Sequence, residues 1–169
     1  RYILFLLVSE KKTEEALKFV IRFFSALNRY SSVIPHAHVG YYHILEALEL
    51  ALNENLISKK ESDKIWNGSL SKLKKLGKKF PFINGYAIRG EAKTLKMNGD
   101  INAAQRKISD AVLWYEQAKN EWERALTYYD AAVLIPEKRD EYIQKGIALC
   151  QENGYARDLI RFQLLPDSV

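Results

Sequence analysis

The spacing of small and apolar residues from Ile88 onward limits what this chain can fold into more than any other feature. Ala92, Leu95, Gly99, Ala104, Ile108 and Ala111 follow one another at helical intervals, and Asn98-Gly99-Asp100 interrupts them. Gly99 has the freedom to take the positive φ that ends a helix, and the Asp100 carboxylate can cap the next one. The stretch therefore reads as two helices folded back on each other. A shift of 34 residues carries Ile88, Ala92 and Leu95 onto Trp122, Leu126 and Tyr129, so the first helix of the hairpin recurs. Recurring hairpins bury their apolar faces on one another, which points to a stacked helical array.

The rest of the chain keeps the same period. The opening YILFLLV reads as the last part of a helix, and 9–13 as a polar turn. Thr13, Ala16, Val20, Phe23 and Leu27 mark the next helix, with Phe19 and Phe24 making it apolar on more than one side. Pro35 breaks the chain, and a helix over 37–53 follows with Tyr41, Ile44, Leu45, Leu48 and Leu52 on one face. Ser58-x-x-Glu61 has the form of a capping box, and Ile65, Trp66, Leu70, Leu73 and Leu76 continue the stripe behind it. Further helices are expected over 82–98, 101–117, 119–133 and 136–151, with a last one after Gly154. No two-residue alternation appears.

The expectation is thus all-α: antiparallel helical hairpins at roughly 1–30, 36–80, 82–117 and 119–151 with a terminal helix over 154–165, in a single array spanning 1–169. The chain starts at Arg1 in mid-pattern, as a piece of a longer protein would. Seven apolar residues at the start fall well short of the 18 or more that a membrane span needs.

Trp122-x-x-Ala125-Leu126-x-x-Tyr129 resembles the W-x-x-L-G-x-x-Y start of a tetratricopeptide repeat, and the 34-residue period agrees. Ala92 and Leu126 stand where that repeat has its glycine, and no proline closes the helix ending near Gln117. The stretches LKKLGKKFPFINGYAIRGEAKTLKMNG (73–99) and 120–162 are similar to the helical-repeat tail of large bacterial regulatory ATPases, in which a kinase or cyclase is joined to a signal-transduction ATPase. The tetratricopeptide resemblance implies a right-handed superhelix whose concave face binds a protein or peptide. By analogy that face carries Tyr86, Arg89, Lys93 and Lys96, then Glu123, Thr127 and Asp130 from the following repeat. Arg89 and Lys93, four apart, are expected to clamp a carboxylate or an acidic peptide.

Charge is concentrated in one place. Eight lysines lie between Lys59 and Phe80 against Glu61 and Asp63, a local charge of +6 where the whole chain carries +5. Lys72, Lys74, Lys75, Lys78 and Lys79 form a basic patch that would suit an acidic surface. Nucleic acid is disfavoured as its partner, because readers of nucleic acid add Arg, Asn or exposed aromatic residues and this helix has no Arg. The favoured reading of the lysines is an ordinary solvated face of an amphipathic helix whose leucine stripe packs in the array.

His36, His38 and His43 are the sole cluster of metal-ligand type, yet a five-residue step takes His38 and His43 off a common helix face, so no metal is expected. The single Cys150 sits in an apolar run and is expected to pack as a small hydrophobe. Gly85-x4-Gly90 lacks the Lys-Ser or Lys-Thr of a phosphate loop, and no nucleophile-base arrangement appears. The expectation is a non-enzymatic, cofactor-free interaction or regulatory segment in the cytoplasm. Its partner is a protein, a peptide or a neighbouring domain of the same chain. The alternatives are a small-ligand sensor and an electropositive surface for nucleic acid or other acidic partners.

Overall fold

A computed structural model describes residues 13–30 and 37–165. The helix remnant expected over 1–8, the turn after it and the break at 31–35 lie outside these residues. The described residues are helical throughout: α1 (Thr13–Tyr30), α2 (Ala37–Asn53), α3 (Lys59–Lys79), α4 (Asn84–Met97), α5 (Ile101–Ala118), α6 (Glu121–Leu134), α7 (Arg139–Glu152) and α8 (Ala156–Gln163). Short 3-10 turns at Pro81–Ile83 and Pro136–Lys138 lead into α4 and α7. No strand occurs among the described residues. The chain divides into two compact units, 1–87 and 88–169.

In the first unit α3 begins at the expected cap. The Ser58 hydroxyl accepts the Glu61 N–H at 3.3 Å and donates to the Glu61 carboxylate at 2.6 Å. Tyr41, Ile44, Leu45 and Leu48 of α2 are buried, as are Trp66, Leu70 and Leu73 of α3. Burial of a side chain of this size is worth about 1.5–3 kcal/mol, so this shared interior holds the unit together. Phe24 meets Tyr41 edge to face with ring centroids 6.4 Å apart, tying α1 to α2.

In the second unit Ala92, Ala104, Ile108, Ala111, Ala125 and Ala131 form the centre of the core. Their small side chains let helices approach closely, while Tyr128 and Tyr142 stack at 5.8 Å across α6 and α7. The turn after α4 is a Schellman motif: Asp100 N–H donates to Leu95 C=O and Gly99 N–H to Lys96 C=O, both at 3.0 Å. Gly99 has φ +82°, and the Asp100 carboxylate then accepts the Ala103 N–H at 3.0 Å. The same device ends α7, where Tyr155 N–H donates to Cys150 C=O at 2.8 Å and Gly154 has φ +69°.

A Cβ built at Gly99 would meet nothing within 4 Å, so its cost is conformational alone. Gly99→Ala is expected to lower stability by about 1–2 kcal/mol, and Asp100→Ala by about 1 kcal/mol through loss of the cap. Urea unfolding of the two variants checks both. Equal stability of Gly99→Ala and the parent would show that the turn does not hold this backbone conformation.

Candidate functional site

Four of the residues expected on an open binding face, Arg89, Glu123, Thr127 and Asp130, are brought together, but inside the protein. Arg89 of α4 and Glu123 of α6 are each 1% exposed, and Asp130 and Thr127 are buried beside them. The Arg89 guanidinium spans both acids. Nε donates to Asp130 Oδ2 at 2.9 Å, a terminal nitrogen meets the same oxygen at 2.8 Å, and the other donates to Glu123 Oε2 at 3.0 Å. The Lys93 ammonium lies 3.5 Å from the other Asp130 oxygen. Two cations thus face two carboxylates, and the cluster is electrically balanced. Thr127 donates its hydroxyl to Glu123 C=O at 2.7 Å, a bond within α6.

The register explains why these groups meet. Glu123, Thr127 and Asp130 are spaced by four and three residues and so share one face of α6. Arg89 precedes Glu123 by 34 residues, the offset that carries Ile88 onto Trp122 in the sequence. Where a clamp on a partner's carboxylate is expected, the carboxylates that Arg89 holds in the structure are those of its own chain.

Tyr86 lies in the first unit, buried edge-on against Tyr42 with ring centroids 5.6 Å apart. Lys96 is half-buried near the end of α4. The sequence reading missed Tyr115 of α5, a buried residue whose phenol is pushed well above its usual range. Burial is the main cause; the Arg89 charge opposes it, and Glu123 and Asp130 add to it. Its place four residues after Ala111 on the inward face of α5 was the available signal.

Of the basic patch, Lys74, Lys75, Lys78 and Lys79 are exposed and Lys72 is half-buried. Trp122, taken as the first residue of a repeat signature, donates its indole N–H to Asp158 of α8 at 2.9 Å. Neither His36 nor the side chain of His38 is among the described residues. His43 shares a 2.6 Å hydrogen bond with Glu46, one turn along α2.

Cys150 is buried, and burial pushes its thiol up to about 11, with Asp158 adding to the shift. At pH 8 only about one thiol in a thousand would then be ionised. Labelling by a disulfide reagent is expected to be slow in the native protein and fast in urea, and rapid native labelling would contradict the burial. A thiol or phenol raised on folding keeps its proton in the native state after the unfolded chain has lost it. Cys150, Tyr115 and Tyr128 are all raised, so their stability contribution is complete below about pH 8.5 and lost as pH climbs through the folded values. The urea midpoint is expected to fall as pH rises above about 8.5.

No described helix is long and apolar enough to cross a membrane. The described residues of the first unit also carry a cleft of about 470 Å³ lined by Leu17, Ile21, Phe24, Leu56 and Ile65, with Glu61 and Lys64 among its walls. No family model, curated protein or solved structure matches the chain.

Proposed function

We propose that the chain is a non-enzymatic helical-repeat module, stacked in the manner of tetratricopeptide hairpins into a right-handed superhelix, that serves protein interaction or regulation within a longer cytoplasmic signalling protein. The observation that carries this reading is the Arg89–Glu123 pair, which joins equivalent positions one 34-residue period apart. A buried cluster of balanced charge suits a brace that keeps successive hairpins in register. The bacterial regulatory ATPases, whose repeat tails the chain resembles, supply the wider setting of this proposal.

The test begins with the intact mass of the endogenous protein, detected through an antibody against this segment, and with the partner that copurifies. One-to-one binding of that purified partner by this chain is the expected result. Failure of the purified partner to bind, at concentrations where the intact protein retains it, would overturn the reading.

The cleft in the first unit favours a second reading, a sensor for a small apolar ligand, because its volume lies within the range of small-molecule sites. A thermal-shift screen separates the two. A ligand at about 100 times its dissociation constant stabilises by about 2.7 kcal/mol, and Ile65→Trp, which fills the cleft, should abolish that gain.

A further inference from the structure

Helix α3 carries exposed lysines along its length, and two exposed aromatic rings, Phe80 and Phe82, follow its C-terminal end. Lys64, Lys75 and Lys78 fall within about 60° of one another around the helix and span about 21 Å of its length, and all three are exposed. The carboxylates of this helix are confined to its first turns. There Glu61 accepts from Ser58, and Asp63 pairs with Lys59 at 3.0 Å. No Asp or Glu follows until Glu91. The opposite face of α3 is already committed to the core through Trp66, Leu70 and Leu73, so the lysine face is the one turned to solvent.

The Pro81–Ile83 turn then fixes two phenylalanines at the end of this stripe. Phe80 N–H donates to Leu76 C=O at 2.7 Å and Ile83 N–H to Phe80 C=O at 2.9 Å, while Ile83 is buried as the anchor. Phe80 is 39% and Phe82 60% exposed, with ring centroids 6.1 Å apart. The turn thus carries an apolar knob, and the Lys79 ammonium lies 5.3 Å from the Phe80 ring centroid.

We propose that this surface, from Lys64 to Phe82, docks on an anionic lipid bilayer, with the lysines held at the headgroups and the two phenyl rings inserted among the upper acyl carbons. Charge complementarity and the paired rings are what such a surface requires. Single-stranded nucleic acid fits less well. The rings are inclined at 45° and so give no parallel platform for consecutive bases, and the Lys79 ammonium lies 5.3 Å over the Phe80 ring, occupying a face on which a base would stack. The proposal concerns the first unit alone and stands independently of the module's protein partner.

The test is flotation of the whole chain with phosphatidylcholine vesicles, with and without phosphatidylserine, at about 0.1 M and about 1 M salt. Binding is expected to require phosphatidylserine. K75Q/K78Q is expected to weaken it about 25-fold, or fivefold for each lysine. F80S/F82S is expected to remove the fraction that survives high salt. All four positions are exposed, so unchanged melting curves confirm that the variants fold. Absence of binding at low salt, equal binding to phosphatidylcholine alone, or indifference to K75Q/K78Q would each overturn the proposal. Tighter binding to single-stranded oligothymidylate than to the vesicles would overturn it in favour of nucleic acid.

Discussion

Arg89→Met should destabilise the second unit by about 3–5 kcal/mol, a large part of what holds a domain folded. The substitution keeps the length of the side chain and removes the charge that faces the buried Glu123 and Asp130 carboxylates. The cost comes from stranding two carboxylates that the folded chain has already withdrawn from water. Arg89→Lys should recover only part of the loss, because one ammonium cannot reproduce the fork that reaches Asp130 and Glu123 together. Removing the acids as well, in Arg89→Met with Glu123→Leu and Asp130→Leu, should restore most of the stability, since an apolar cluster of similar volume has no stranded charge. Urea unfolding followed by circular dichroism measures all three variants. A loss below about 1 kcal/mol for Arg89→Met, the worth of an exposed ion pair, would show that the cluster does not brace the helices.

Gly146 offers a test in which the sign alone is decisive. In the interior of an exposed helix, Gly→Ala stabilises by about 1 kcal/mol. Here the added Cβ would stand 2.0 Å from the Cζ of Phe162, well inside contact distance. Phe162 of α8 is buried against the α7 backbone at this point, and its ring also meets Tyr129 edge to face at 5.6 Å. A methyl group therefore forces the ring out of its seat, and Gly146→Ala is expected to cost about 1–3 kcal/mol. Gly146→Val should loosen α8 from α7 altogether. Phe162→Leu combined with Gly146→Ala should recover part of the loss by trimming the ring that collides. A stabilising Gly146→Ala would mean that α8 is not seated on this helix.

Much of the helical plan can be read from local chemistry. The 37–53 helix has the bounds of α2, and the Gly99-Asp100 turn and the Ser58 cap fall where the residue types require. Each depends on neighbours in the chain: a glycine that tolerates positive φ, an oxygen within reach of a free N–H, a stripe that recurs every three or four residues. Pro81 and Pro136 each head a 3-10 turn that precedes the α-helix proper. Helix α3 runs through Gly68 and Gly77, residues of low helix propensity. Added side chains there would meet Phe24 and Asn84, so these glycines mark close packing.

The candidate site divides in the same way. That Glu123, Thr127 and Asp130 share a face follows from helical spacing, and the 34-residue offset already aligned Arg89 with Glu123. What that face looks onto was not legible. A row of charged residues on one helix has the same spacing whether it meets water, a ligand or the opposite charges of the next hairpin. Only the tertiary structure decided among these, by bringing Arg89 within hydrogen-bonding distance of both acids and adding Tyr115 to their buried surroundings. The sequence by itself determined an all-helical chain and the spacing of residues along its helix faces, because these depend on local backbone preferences and on a period of 3.6 residues. The tertiary structure alone decided which charged face is closed and which, on α3, is left open, because burial depends on helices far apart in the chain.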